Sequence, residues 1–102
     1  MNMDSAAATV DMAALKARRN KKVSVVAHSA RPAWIIDVKE YPESSTIVFD
    51  LIFRPNPGGG WFRRRYEYDG EADVLHHYGE MVVSDSELST LPDEAEFKGV
   101  NG

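Results

Sequence analysis

The sequence contains no cysteine. That absence removes disulfide scaffolds, thiolate zinc sites, iron–sulfur clusters and thiol nucleophiles together, and it fits a reducing compartment. Long apolar runs are missing too. None exceeds four residues, as in Met12 to Leu15 and Ala33 to Ile36, against the ~18 that a bilayer crossing requires. The first residues carry Asp4 and Asp11 and lack an apolar h-region, so they do not read as a signal or transit peptide. The expectation is a soluble, cytoplasmic protein with no membrane partner. No diagnostic catalytic string is present. Gly58-Gly59-Gly60 precedes a predicted strand and lacks the lysine and helix N-terminus of a phosphate loop, and no serine sits in a Gly-x-Ser-x-Gly elbow.

What is there resembles an ordinary globular composition. The chain has 102 residues, 43% hydrophobic and 27% charged, which is one domain's worth. A chain of this size buries a little over ~60% of the surface its unfolded form exposes, enough for one modest core. The net charge of −4 conceals a lopsided distribution. Residues 1–66 hold 11 basic and 6 acidic groups, a net of +5, whereas residues 67–102 hold 1 basic and 10 acidic groups, a net of −9.

Three zones follow from composition. Residues 1–22 contain no aromatic and end in Lys16, Arg18, Arg19, Lys21 and Lys22. They predict a flexible or helical basic arm, capped at Asp4 or Ser5 and running to about Arg19. Residues 23–92 form the globular domain, and residues 93–102 form an acidic, frayed tail. Within the domain, Val23 to His28 reads as a first strand. Trp34 to Tyr41 alternates as a second, with Ile35, Asp37, Lys39 and Tyr41 sharing one face. Thr46 to Arg54 is the clearest strand, with Ile47, Phe49, Leu51 and Phe53 facing the core. Trp61 to Tyr68 follows the Pro/Gly loop at 55–60. Residues 71–78 admit two readings, a short helix or part of a hairpin strand from Val74 to Val83. Asp69-Gly70 and the β-branched and aromatic content favour the hairpin. Ser84 to Glu87 reads as a capping box for a short helix, with Ser84 and Glu87 each bonding the other's amide. The predicted fold is therefore β-rich, bordering α+β: a curled antiparallel meander of about five strands with a short C-terminal helix. A split α+β sandwich is the alternative if 71–78 is helical.

Candidate chemistry is sparse. His76 and His77 with His28 are the metal or acid–base candidates, but adjacent strand residues point to opposite faces and do not easily share an ion. Arg63-Arg64-Arg65 amid Trp61, Phe62, Tyr66 and Tyr68 is the most unusual string. Alternation sends Arg64 inward and leaves Trp61, Arg63 and Arg65 outward. These groups, with the basic run Arg18, Arg19, Lys21 and Lys22 and with Arg64, would suit a single-stranded nucleic acid. The competing expectation pairs the arginines with the acidic C-terminal third. The second face of the sheet, with Ile35, Tyr41 and Trp61 alongside Val48 and Ile52 and interspersed with Asp37, Lys39, Asp50, Arg54, Arg63 and Arg65, is too apolar for a simple one-sided sheet, so either the chain or a partner covers it. The leading functional expectation is a non-enzymatic protein-interaction or regulatory module, self-association included, that uses Trp61, Arg63, Arg65, Ile35, Tyr41 and Lys39. It needs no cofactor. A single-stranded nucleic-acid binder comes second and a small histidine-based enzyme third.

Overall fold

The structure is a computed structural model that describes residues 11–27, 32–56 and 58–97. The mostly-β expectation holds. Four antiparallel strands make one sheet in the order of the chain: β1 (Trp34–Tyr41), β2 (Thr46–Phe53), β3 (Phe62–Asp69) and β4 (Val74–Val82). A helix, α1 (Met12–Val26), precedes them and a single turn, α2 (Asp85–Leu88), follows.

Among the described residues the count is four strands, not about five, because residues 23–26 belong to α1. Val23, Val25 and Val26 are good strand formers, and local propensity alone would extend them. Tertiary packing overrides it. Leu15, Arg19 and Val23 recur every fourth position and form the buried stripe that seats α1 on the sheet. Asp11 caps the helix, its carboxylate accepting from the Ala14 amide at 3.2 Å. The predicted caps Asp4 and Ser5 lie outside the described residues, as does His28. The boundary placed between 22 and 23 thus falls inside a helix that is docked, at least from residue 11.

The core lies between α1 and one sheet face. Ile47, Phe49, Leu51 and Phe53 supply the β2 contribution, as their alternation predicts, and Tyr66 and Tyr68 supply that of β3. Gly70 lets the helix approach: a Cβ there would stand 2.4 Å from Leu15 Cδ1 and 2.7 Å from the Ser45 carbonyl oxygen. Arg18 Nη1 donates to the Gly70 carbonyl at 3.1 Å, and Lys16–Glu40 and Lys22–Asp73 ion pairs flank the contact.

Arg19 is the odd member of the stripe. Only 6% of it is exposed, its guanidinium lies 5.1 Å from the centre of the Phe49 ring, and Nε donates to Asn20 Oδ1. Burial lowers its pKa against the opposing charges of Glu96 and Glu40. Its Nη1 is buried without a hydrogen-bond partner among the described residues. Replacing a buried charge with an apolar side chain of similar length is commonly neutral or stabilising. Arg19→Met should therefore leave the urea midpoint unchanged or raise it; a loss of about 2 kcal/mol or more would show that the guanidinium contributes net stability.

Residues 71–78 resolve as the hairpin. Asp69 Oδ1 accepts from the amides of Glu71 and Ala72, Asp73 takes a positive φ of 58°, and the chain then enters β4. The C-terminal segment is anchored further than a frayed tail from residue 93 would be. Phe97 bridges Ala33, Glu96 accepts from the Ile35 amide, and the Pro92 carbonyl accepts from the Trp34 indole.

One irregularity changes which residues share a face. Ile36 pairs with Asp50 and Lys39 with Val48, so Asp37 and Val38 together oppose Phe49. Asp37 has a φ of 54°. This bulge shifts the alternation by one residue. Ile35, expected on the second face, instead pairs with Leu51 on the α1 face and is buried; Trp34 and Ile36 take its place. Asp37, Lys39 and Tyr41 stay on the second face as expected.

Candidate functional site

The second sheet face centres on one buried carboxylate. Asp50 sits mid-strand in β2, opposite Arg65 and diagonal to Arg63 on β3. Oδ1 accepts from Arg65 Nε at 2.6 Å, while Oδ2 accepts from Arg63 Nε at 2.6 Å and from Arg65 Nη2 at 3.2 Å. Arg63 spends its remaining nitrogens on Glu87 Oε2 at 2.8 Å and on Asp37. Asp37 reaches it because of the β1 bulge, and Glu87 because α2 folds back over this end of the sheet. Two guanidiniums thus meet three carboxylates, a net of −1. Burial alone would raise the Asp50 carboxyl, but the hydrogen bonds and charges of Arg65 and Arg63 together hold it below the ordinary carboxylate value.

The capping box is half formed. Ser84 Oγ accepts from the Glu87 amide at 3.2 Å, as expected. The Glu87 carboxylate does not return to the Ser84 amide; it goes to Arg63, where a half-buried cationic partner outcompetes an exposed N–H.

Arg64 does face the α1 side. It bonds Glu80 and the Tyr66 hydroxyl and lies 4.9 Å from the centre of the Phe53 ring. The acidic C-terminal third therefore supplies Glu80 and Glu87, whereas Asp37 and Asp50 come from the half of the chain that is basic on average. Trp61 packs against Trp34 with ring centres 5.8 Å apart and lies under the Arg54 guanidinium. The Pro92 carbonyl and Val83 amide close over this end through Trp34 and Trp61, and Ile52 is fully buried there.

The chain itself covers the Trp61 and Arg63 end of the face. The other end is open. Lys39, Tyr41 and Arg65 are exposed, and a groove of about 350 Å³ runs between Asp50, Arg63, Arg65, Tyr78 and Met81. Of the basic run, Arg18 and Lys22 are engaged with Gly70 and Asp73, Arg19 is buried, and Lys21 is exposed.

His76 and His77 diverge as strand geometry requires. His77 lies against the Tyr66 ring on the α1 face with its Nε2 3.1 Å from the Gly79 oxygen, while His76 opposes Glu67 on the second face. Among the described residues, no group of three or more histidines and carboxylates converges on one point. The Tyr68 phenol is held in its neutral form. Burial and the Asp73 carboxylate, 2.5 Å away, raise the Tyr68 hydroxyl to about 12.

Among the described residues, a run of exposed apolar groups lies on a strand that the sequence reading left without a role. β4 is the last strand of the sheet, and eight of its nine residues are exposed. Tyr78 is 64% exposed, Met81 61% and Val82 71%. A second bulge lies within it, because Arg65 pairs with Gly79 and Tyr66 with His77, leaving Tyr78 as the extra residue. The missed signal was compositional: nine strand residues, Val74 to Val82, hold one formal charge, Glu80, and neither lysine nor proline.

Comparison with protein-family models, with curated proteins and with solved structures finds no match to this chain.

Proposed function

We propose that the protein is a non-enzymatic protein-interaction module that takes up an extended segment of a polypeptide along the outer edge of β4. The observation that carries this reading is the combination of a long open strand edge with exposed Tyr78, Met81 and Val82 upon it. An edge strand presents a row of backbone N–H and C=O groups, and soluble proteins blunt such edges with lysine, proline or a covering element. β1 is blunted in this way: it carries Lys39 and Glu40, bulges at Asp37, and meets Phe97 at its start. Among the described residues, β4 has only its bulge, which falls within rather than at the end of the strand. Pairing an incoming strand supplies backbone hydrogen bonds, and alternate pockets beside it supply side-chain selectivity. The groove between Arg65, Tyr78 and Met81 is such a pocket.

The arginine string supports a structural role more than a nucleic-acid one. Phosphate contacts need free guanidinium valences, and those of Arg63 are spent on three carboxylates in a cluster of net negative charge. This moves the expected surface from Trp61 and Arg63 to the open end of the same face.

A displayed library of extended peptides tests the reading. The wild-type chain should enrich peptides with alternating apolar residues, and Tyr78→Lys/Met81→Lys, which restores lysine to the edge, should lose them while keeping its circular-dichroism spectrum. Enrichment by both chains alike, or by neither, would overturn it.

A further inference from the structure

We infer that one occupant of the β4 edge is the β4 edge of a second copy, paired antiparallel about a two-fold axis so that residues i and j face each other when i + j is 157. This rests on the reading of β4 as a docking edge and adds its partner and register.

The bulge selects the register. Joining two sheets edge to edge keeps their faces continuous only if facing residues point to the same side. Before the bulge, Leu75 and His77 stand on the α1 face: Leu75 packs against the core and His77 lies on Tyr66. His76 and Tyr78 stand on the second face, where His76 opposes Glu67, and the Glu67 charge raises the Tyr78 phenol. After the bulge the parity inverts. Glu80 meets Arg64 and Val82 opposes Phe62 on the α1 face, while Gly79 and Met81 oppose Arg65 and Arg63 on the second. A residue of even number before the bulge therefore shares a face with one of odd number after it. Of the registers that satisfy this, only a sum of 157 pairs the whole stretch from Leu75 to Val82 without a mismatch.

The side chains that this register brings together are complementary. On the α1 face, Leu75 meets Val82 of the second copy and His77 meets Glu80 of the second copy, a hydrogen-bonding pair. On the second face, His76 meets Met81 of the second copy. At the axis Tyr78 lies beside Gly79 of the second copy, where the missing side chain leaves room for an aromatic ring. Each contact occurs twice by symmetry, as an isologous interface requires. No like charges are opposed, and the exposed apolar groups of both edges are covered at once. The product is a continuous eight-stranded sheet.

Sedimentation equilibrium of the full chain tests the partner. The wild type should show a monomer–dimer equilibrium, and His77→Asp, which sets two carboxylates against each other twice, should raise the dissociation constant at least about tenfold. The register has its own test, aided by the absence of native cysteine. His76→Cys/Met81→Cys should form a disulfide-linked dimer under mild oxidation, whereas either single variant should not, because equivalent residues of the two copies lie several positions apart. A wild-type chain that stays monomeric into the millimolar range overturns the second-copy assignment; the peptide selection, run on that monomer, then decides the docking reading separately. A dimer indifferent to His77→Asp, or one crosslinked as readily by either single cysteine, overturns the proposed interface.

Discussion

Asp50→Ala should destabilise the protein by about 3 kcal/mol, the lower end of what breaking a buried charge pair costs. The carboxylate is buried, and its loss leaves Arg63 and Arg65 as neighbouring cations whose shared counter-charge has gone. Two features keep the loss from being larger. Arg63 retains Glu87 and Asp37, and Arg65 is half-exposed, so water screens what remains. Urea unfolding of the wild type and variant measures the difference, and a shift below about 1 kcal/mol would reduce the cluster to an ordinary surface network. The pH dependence has a definite sign. Because the folded Asp50 holds its proton less tightly than the unfolded chain does, its contribution is fully present above the ordinary carboxylate pKa of 3.8 and is lost as pH falls through the lower folded value. The wild-type urea midpoint should thus fall more steeply than that of Asp50→Ala as the solution is acidified below that value. Parallel curves would mean that other carboxylates govern acid unfolding.

Leu15→Ala should cost about 3 kcal/mol, within the range for deleting a fully buried leucine side chain. The site has little room to collapse on the Gly70 side: the Gly70 backbone lies against the Leu15 side chain and is held by the hydrogen bond from its amide to the Ser45 oxygen. Thermal or urea unfolding checks the stability, and amide exchange across Met12–Val26 checks its location. If residues 1–22 formed only an undocked arm, flexible or helical, the substitution would change neither.

These two sites mark where the sequence was readable and where it was not. The β2 alternation placed Ile47, Phe49, Leu51 and Phe53 correctly, because a strand with one face on a core carries its own periodicity. Asp-Gly at 69–70 and Ser84 with Glu87 spoke for a hairpin and a helix start, and both formed, because turn and cap chemistry is local. Three things were hidden. The α1 stripe was disguised by Arg19, a charged residue in a buried position, so Val23 to Val26 looked like a strand. The β1 bulge has no strong sequence mark: aspartate tolerates a positive φ, but Asp37 sits in an unbroken run of strand residues. Missing it moved Ile35 to the wrong face. Partnership across strands was the third. The arginine string was conspicuous, yet its principal partner, Asp50, was one acid in an apolar strand, and only the register brings them together.

The charge cluster joins parts of the chain that are far apart in sequence. A hairpin of β2 and β3 already sets Asp50 beside Arg65 and Arg63, but Asp37 arrives with β1 and Glu87 only when α2 folds across the face. Interactions that appear after the rate-limiting barrier leave the folding rate nearly unchanged and slow the reverse step instead. If the outer contacts of Arg63 with Asp37 and Glu87 form after that barrier, they act as a latch in time, and Glu87→Gln should speed unfolding while leaving the folding rate nearly unchanged.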